Sequence, residues 1–279
     1  MKKHLSRVYI SLIFAVLYIP ILTLIFFSFN SAESTAVFEG FSFHWYDVLF
    51  SDERTFKALR NTLILAVSSA VISTIIGTAA AEGIYRMKSK LFKTAVTSVT
   101  NIPMMNPDIV TGMSMMLFFV AVWGFLGISN DSMGFVNMLI AHTTFCLPYV
   151  ILSVLPRINE LGNSLTEAAL DLGCSPVGAF FKVKLPNILP GVLSGFVMAF
   201  TLSLDDFVIS YFVVGSSEFE TLPIRIYNMT KKQVTPDMYA LSTLIIITVF
   251  TLLFISNIKS GKADKAKGKK DKKRKAVAK

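Results

Sequence analysis

Six stretches of this chain are apolar for long enough to cross a bilayer: roughly 8–29, 61–84, 94–123, 135–156, 189–214 and 239–258. A spanning helix needs about 20 such residues, and lipid offers no partner for a backbone polar group, so each run has to satisfy its own N–H and C=O groups as a helix. Composition agrees, with 53% of the 279 residues hydrophobic and 16% charged. The expectation is an all-α integral membrane protein with six spans. The first run follows Lys2, Lys3 and Arg7. It is too long for a typical signal-peptide core, and no small-residue cleavage site follows closely, so it reads as a retained span.

Basic residues orient the spans, because Lys and Arg accumulate on the cytoplasmic side. With the N-terminus inside, 21 of the 27 Lys and Arg fall in cytoplasmic segments and 6 in outer loops. Both termini are therefore expected to be cytoplasmic. Most of the formal charge of +9 sits in the Lys-Ala-Gly-Asp tail 259–279. The tail reads as a disordered topology anchor with a weak affinity for anionic membrane lipid, not as a nucleic-acid site. The six-span body is bounded as 1–258 and the tail as 259–279.

The loop 157–188 between spans four and five carries two short helical patterns. Ser164-Leu165-Thr166-Glu167 reads as a capping box, in which Ser164 accepts a backbone N–H and Glu167 reaches back. Ala168 and Ala169 continue that helix, and Gly173 suits the left-handed position that ends it. Ser175 and Pro176 supply the N-cap and first residue of a second helix, which Leu185-Pro186 is expected to close. The small alanines suit close docking against another protein.

The order Glu167-Ala168-Ala169, Gly173, then Val183-Lys184-Leu185-Pro186 resembles the signature loop of permease subunits of ATP-binding-cassette importers. The resemblance implies a six-helix type I importer permease whose loop 157–188 inserts into a cytoplasmic ATPase. Ser164, Glu167, Ala168, Ala169, Gly173, Ser175, Pro176, Leu185 and Pro186 are then the coupling residues.

Four acidic residues fall inside the spans: Glu82, Asp108, Asp205 and Asp206. Each costs about 2.5–3.5 kcal/mol at a helix centre on insertion scales, so each asks for a reason. Arg86 and Lys88 lie close enough to Glu82 for a local ion pair. Counted from residue 94, Asp108 sits about 21 Å into span three at the rise of an α-helix, and Asp205 and Asp206 reach a similar depth on span five. Pro103 and Pro107 free backbone carbonyls just before Asp108, as helices lining a cavity do. Gly191, Gly195, Ala199 and Ser203 form a small-residue stripe along span five, suited to close contact with a second permease. Asp206 continues that face, whereas Asp205 is turned away by about 100°. This favours Asp206 lining the interior and Asp205 bonding a neighbouring helix, with the reverse assignment left open by the sequence. Phe145, Trp123, Phe207 and Tyr211 lie at similar depths, and carboxylates beside aromatic faces suit an elongated organic cation. An anion would call for mid-span Lys or Arg, and the spans hold none.

Catalytic chemistry finds no foothold. There is no G-x-x-x-x-G-K-[ST] phosphate loop. His4, His44 and His142 are widely spaced, and Cys146 and Cys174 suggest neither a disulfide nor a metal site. No catalytic residue, metal site or cofactor is expected on this chain, and any Mg-ATP belongs to another subunit.

A closer resemblance rests on Tyr18-Ile-Pro-Ile21, Ser28-Phe-Asn-Ser31, Asn106-Pro-Asp-Ile-Val110, His142-Thr-Thr-Phe-Cys-Leu-Pro148, Phe200-Thr-Leu-Ser-Leu-Asp-Asp206 and Leu222-Pro-Ile-Arg-Ile-Tyr227. Together they resemble the PotC-type permeases of spermidine/putrescine importers. The resemblance implies a bacterial inner-membrane assembly of this chain, a homologous permease, two ATPase copies and an extracytoplasmic polyamine-binding protein. Alternatives are an importer of another small cationic or organic solute, or a secondary transporter driven by an ion gradient. The latter leaves the elbowed loop without a role.

Overall fold

The computed structural model describes residues 2–32, 37–127, 134–215, 219–232, 236–247 and 251. Among these, five helices are long and apolar enough to cross a membrane, beginning with Arg7–Phe27 and ending with Pro176–Asp205. A shorter apolar helix, Pro236–Ile247, occupies the start of the expected sixth span. The rest of that span, 248–258, lies outside the described residues apart from residue 251, and so does the tail 259–279. The chain divides into two units, one formed by Met1–Glu53 with Asn228–Lys279 and the other by Arg54–Tyr227.

In the first unit, α1 (Lys2–Phe27) is followed by a loop and the short α2 (His44–Ser51). Asn30 organises the loop. Its side-chain amide donates to Val37 O at 2.7 Å, and its Oδ1 accepts from Ala32 N and Glu39 N. Its own carbonyl accepts from the Trp45 indole at 2.9 Å. Packed phenylalanines close around it, with Phe26 and Phe38 stacked at 4.7 Å.

The second unit contains α3 (Glu53–Arg86, its unit share starting at Arg54), α4 (Lys90–Met105), α5 (Asp108–Leu126), α6 (Gly134–Leu161), α7 (Ser164–Asp171), α8 (Pro176–Ala179), α9 (Leu185–Asp205), α10 (Val208–Val213) and the start of α11 (Leu222–Lys232). Helix α6 is the central post. Along α9, Gly191 lies against Ser153 O and Arg157, Gly195 against Val150, Ala199 O accepts from Cys146 Sγ, and Ser203 meets His142. The two helices therefore run antiparallel over four turns. Gly77 of α3 meets Val150 from another side, and Gly112 lets α5 close on Ile209 and Phe212 of α10.

Four expectations change. Span three is not one helix: Asn106, before Pro107, is extended at φ −80° and ψ 141°, so α4 stops and α5 restarts at Asp108. The cause is steric, since proline disfavours helical geometry in the residue before it. Span five also breaks, at Asp206-Phe207. The small-residue stripe is buried within this chain against α6, and so is not a free face for a second permease. Finally, Leu185-Pro186 does not close the second loop helix. The widened π turn Phe180–Lys184 carries it straight into α9, with Leu185 N–H donating to Phe180 O five residues back. The extra residue in that turn accommodates Pro186, which has no N–H to give.

Candidate functional site

The loop between α6 and α9 forms a compact elbow. Asn163, not Ser164, occupies the N-cap of α7, and no side chain caps that end. The capping box is thus absent, and Ser164 and Glu167 are exposed helix residues. Asn163 has near-helical backbone geometry, φ −99° and ψ −21°, instead of the extended geometry of a capping residue, and its Oδ1 accepts from the Tyr85 hydroxyl at 2.9 Å. Ala168 is exposed and Ala169 buried. Gly173 closes α7 at φ 86°, with Gly173 N–H on Leu170 O and Cys174 N–H on Ala169 O, the paired bonds of a Schellman cap. Ser175 then caps α8 through its hydroxyl, which accepts from Gly178 N at 3.1 Å, and Pro176 is the first helical residue. The outer surface of the elbow is apolar: Leu165, Val177 and Phe181 are exposed, and Leu172 is 87% exposed. These side chains are left in contact with water on an otherwise polar loop.

The acidic residues have distinct environments. Asp206 is nearly buried and accepts from Ser210 N at 2.8 Å and Ile209 N at 3.3 Å, capping the first turn of α10. His142 Nε2 lies 3.4 Å from the same carboxylate and 2.9 Å from Ser210 Oγ. His142 Nδ1 bonds Ser203 Oγ at 2.7 Å, and Ser203 is bonded in turn by Ser69. This buried network ties α3, α6, α9 and α10 together at the break in span five. Asp205 is exposed. Asp206 thus makes the bonds to neighbours that were expected of Asp205, and Asp205 is exposed. The reason is local, since α9 ends between them and Asp206 turns back to cap α10.

Asp108 opens α5 and is exposed. Its expected depth was counted along one unbroken helix from residue 94, whereas two helices, α4 and α5, cover that stretch. The expected aromatic residues are not all gathered. Phe207 and Tyr211 lie together, their rings 5.4 Å apart, and Tyr227 joins them at 4.6 Å from Phe207. Phe145 is buried in the core beside Tyr149. The Trp123 indole is tied to Asn137 Oδ1 at 2.6 Å.

The contacts of Tyr85, Lys184, Tyr227 and His142 were not foreseen from the sequence. Glu82 does pair with Arg86, at 2.6 Å, but its second partner is Lys184, at 2.8 Å. A charge buried at one end of a span could have signalled a distant partner, but nothing in local spacing identifies Lys184.

Helices long and apolar enough to cross a membrane, two of them broken beside carboxylates, fit a transport-type membrane subunit. The family of binding-protein-dependent transport system inner membrane components matches residues 73–259, and the chain belongs to it. It is similar to the spermidine/putrescine transport system permease protein PotC of Haemophilus influenzae, 39% identical over 92% of this chain and 96% of the relative. It is also similar to the putrescine transport system permease protein PotI of Escherichia coli, 37% identical over 90% of this chain and 89% of that one. In fold it matches a crystal structure of a bacterial ABC transporter that imports the acidic polysaccharide alginate. That TM-score is 0.69 at 15% identity, covering 91% of this chain and 93% of the other. The chain is thus a homologue of polyamine permease subunits, with the architecture of an ABC importer permease.

Proposed function

We propose that this chain forms half of the translocation pathway of an ATP-driven polyamine importer in the bacterial inner membrane, with both termini and the elbow cytoplasmic. The observation that carries the substrate is the likeness, over about nine tenths of the chain, to relatives named for spermidine and putrescine. The remainder of the assembly is a homologous permease, two ATPase copies holding Mg-ATP, and an extracytoplasmic binding protein. Residues 1–258 act as the permease domain, 157–188 as its coupling segment and 259–279 as a basic tail.

Each part has its own task. The apolar elbow residues seat in the ATPase, and the Gly173 turn sets the angle between α7 and α8. Asp108 and Asp205, both exposed, meet the ammonium groups of the passing cation. The Phe207–Tyr211 pair offers ring faces to the same charge. Asp206 keeps the break in span five open by capping α10. The chain itself performs no hydrolysis.

Uptake of labelled spermidine and putrescine by vesicles containing the whole assembly tests the reading. Uptake is expected to require internal ATP and to persist when an uncoupler collapses the ion gradient. Uptake that follows the gradient and ignores ATP replaces the importer with a secondary transporter.

A further inference from the structure

Lys184 is the most buried Lys or Arg among the described residues, at 2% exposure, and it stands at the junction of the elbow with α9. Its ammonium lies 2.8 Å from Glu82 Oε2 and 3.0 Å from Glu82 Oε1, both on α3. It also lies 4.5 Å from the centre of the Tyr85 ring, one turn further along α3. The Tyr85 hydroxyl donates to Asn163 Oδ1 at 2.9 Å, at the opposite end of the elbow. Neighbouring residues of α3 thus hold the segment Asn163–Lys184 where it begins and where it ends. Arg86 and Lys93 brace the same two residues, Arg86 on Glu82 at 2.6 Å and Lys93 over Tyr85 at 5.4 Å.

A structural anchor needs only one such contact. Two contacts at opposite ends of one elbow, from adjacent turns of one helix, fix its orientation as well as its position. The π turn has a part in this, because π turns redirect the side chains of the helix they interrupt, and here Lys184 ends that turn. Removing one partner of a buried pair leaves an uncompensated charge, whereas removing both is often tolerated. The pair therefore has an energetic reason to stay closed while the elbow moves.

We propose that Glu82 and Tyr85 clasp the elbow at Lys184 and Asn163, making α3 move with it as one body and carrying the ATPase's motion directly into a second transmembrane helix. Glu82, Tyr85, Asn163 and Lys184 are positioning residues in this scheme. The inference rests on the importer reading above, and its test separates the two.

The experiment uses the full chain assembled with its permease partner, ATPase and binding protein. Spin labels are placed on Cys174 in the elbow and on a cysteine at Lys88→Cys beyond the clasp; Cys146 is buried and stays unlabelled. The distance between labels is measured without nucleotide and with Mg-ATP trapped. It is expected to stay constant in the parent and to change in the doubly neutralised variant Glu82→Gln/Lys184→Met, which leaves no buried charge unpaired, since Arg86, the other partner of Glu82, is 57% exposed. In that variant and in Tyr85→Phe, spermidine transported per ATP hydrolysed is expected to fall by about tenfold, within the usual range of coupling between sites. Lys184→Arg, which keeps the charge, is expected to retain more of the ratio than the double variant. A parent distance that changes with nucleotide overturns the clasp, as does a double variant that couples normally. A parent assembly without ATP-dependent spermidine uptake overturns the importer reading instead, while the distance still reports on the clasp.

Discussion

At the residue scale, Asp205 and Asp206 are adjacent yet have different surroundings, and substitution separates them. Asp206→Asn removes the charge that accepts two backbone N–H groups and faces His142. Hydrogen bonds to a charged group are each worth about 1.5–3 kcal/mol, so a clear drop in thermal unfolding temperature of the purified chain is expected. Asp205→Asn touches an exposed side chain and is expected to leave that temperature unchanged while lowering polyamine uptake severalfold. Equal stability losses in both variants contradict the assignment. Gly173 is a second single-residue test. At φ 86° a side chain costs about 1–2 kcal/mol from backbone crowding alone, and no neighbouring atom lies within 4 Å of the position a Cβ would take. Gly173→Val is therefore expected to insert normally but bind its ATPase weakly, measured by co-purification. Gly173→Asn, whose short side chain tolerates that conformation, is expected to keep most of the binding.

At the element scale, α6 against α9 sets the tolerance of the fold. A Cβ on Gly191 would lie 2.9 Å from Ser153 O and 2.6 Å from Arg157 Cγ. Gly191→Leu is expected to cost about 1–3 kcal/mol through overpacking, read as loss of folded chain on heating in detergent. The positions of the long helices were legible in the sequence because apolar length alone specifies them. The Gly173 and Ser175-Pro176 turns were legible because each depends on residues a few places away. The destination of the Gly191–Ser203 stripe was not: small residues announce close contact but not with which helix. The breaks were only half legible. Pro107 warned of the first, whereas the second depends on Asp206 capping onward, and either of two adjacent aspartates could have done so from sequence alone. The same limit hid Lys184, whose partner lies 102 residues away.

For the whole molecule, sidedness is the proposal most open to direct measurement. Cys174 on the elbow is partly exposed and Cys146 is buried, so a membrane-impermeant thiol reagent should report on one site. Labelling is expected in inside-out vesicles and not in sealed right-side-out ones; the opposite pattern inverts the proposed orientation. The π turn Phe180–Lys184 has a further consequence for the complete chain. It acts as a phase shifter between two surfaces that must each face a fixed direction, the elbow with Lys184 on one side and the α9 stripe on the other. One residue of ordinary helix turns the chain by about 100°. Deleting a single residue from 180–184 would leave every interacting side chain present, yet the two surfaces would no longer point correctly together. Length in this stretch is therefore under tighter constraint than residue type, and a one-residue deletion should be worse tolerated there than most substitutions.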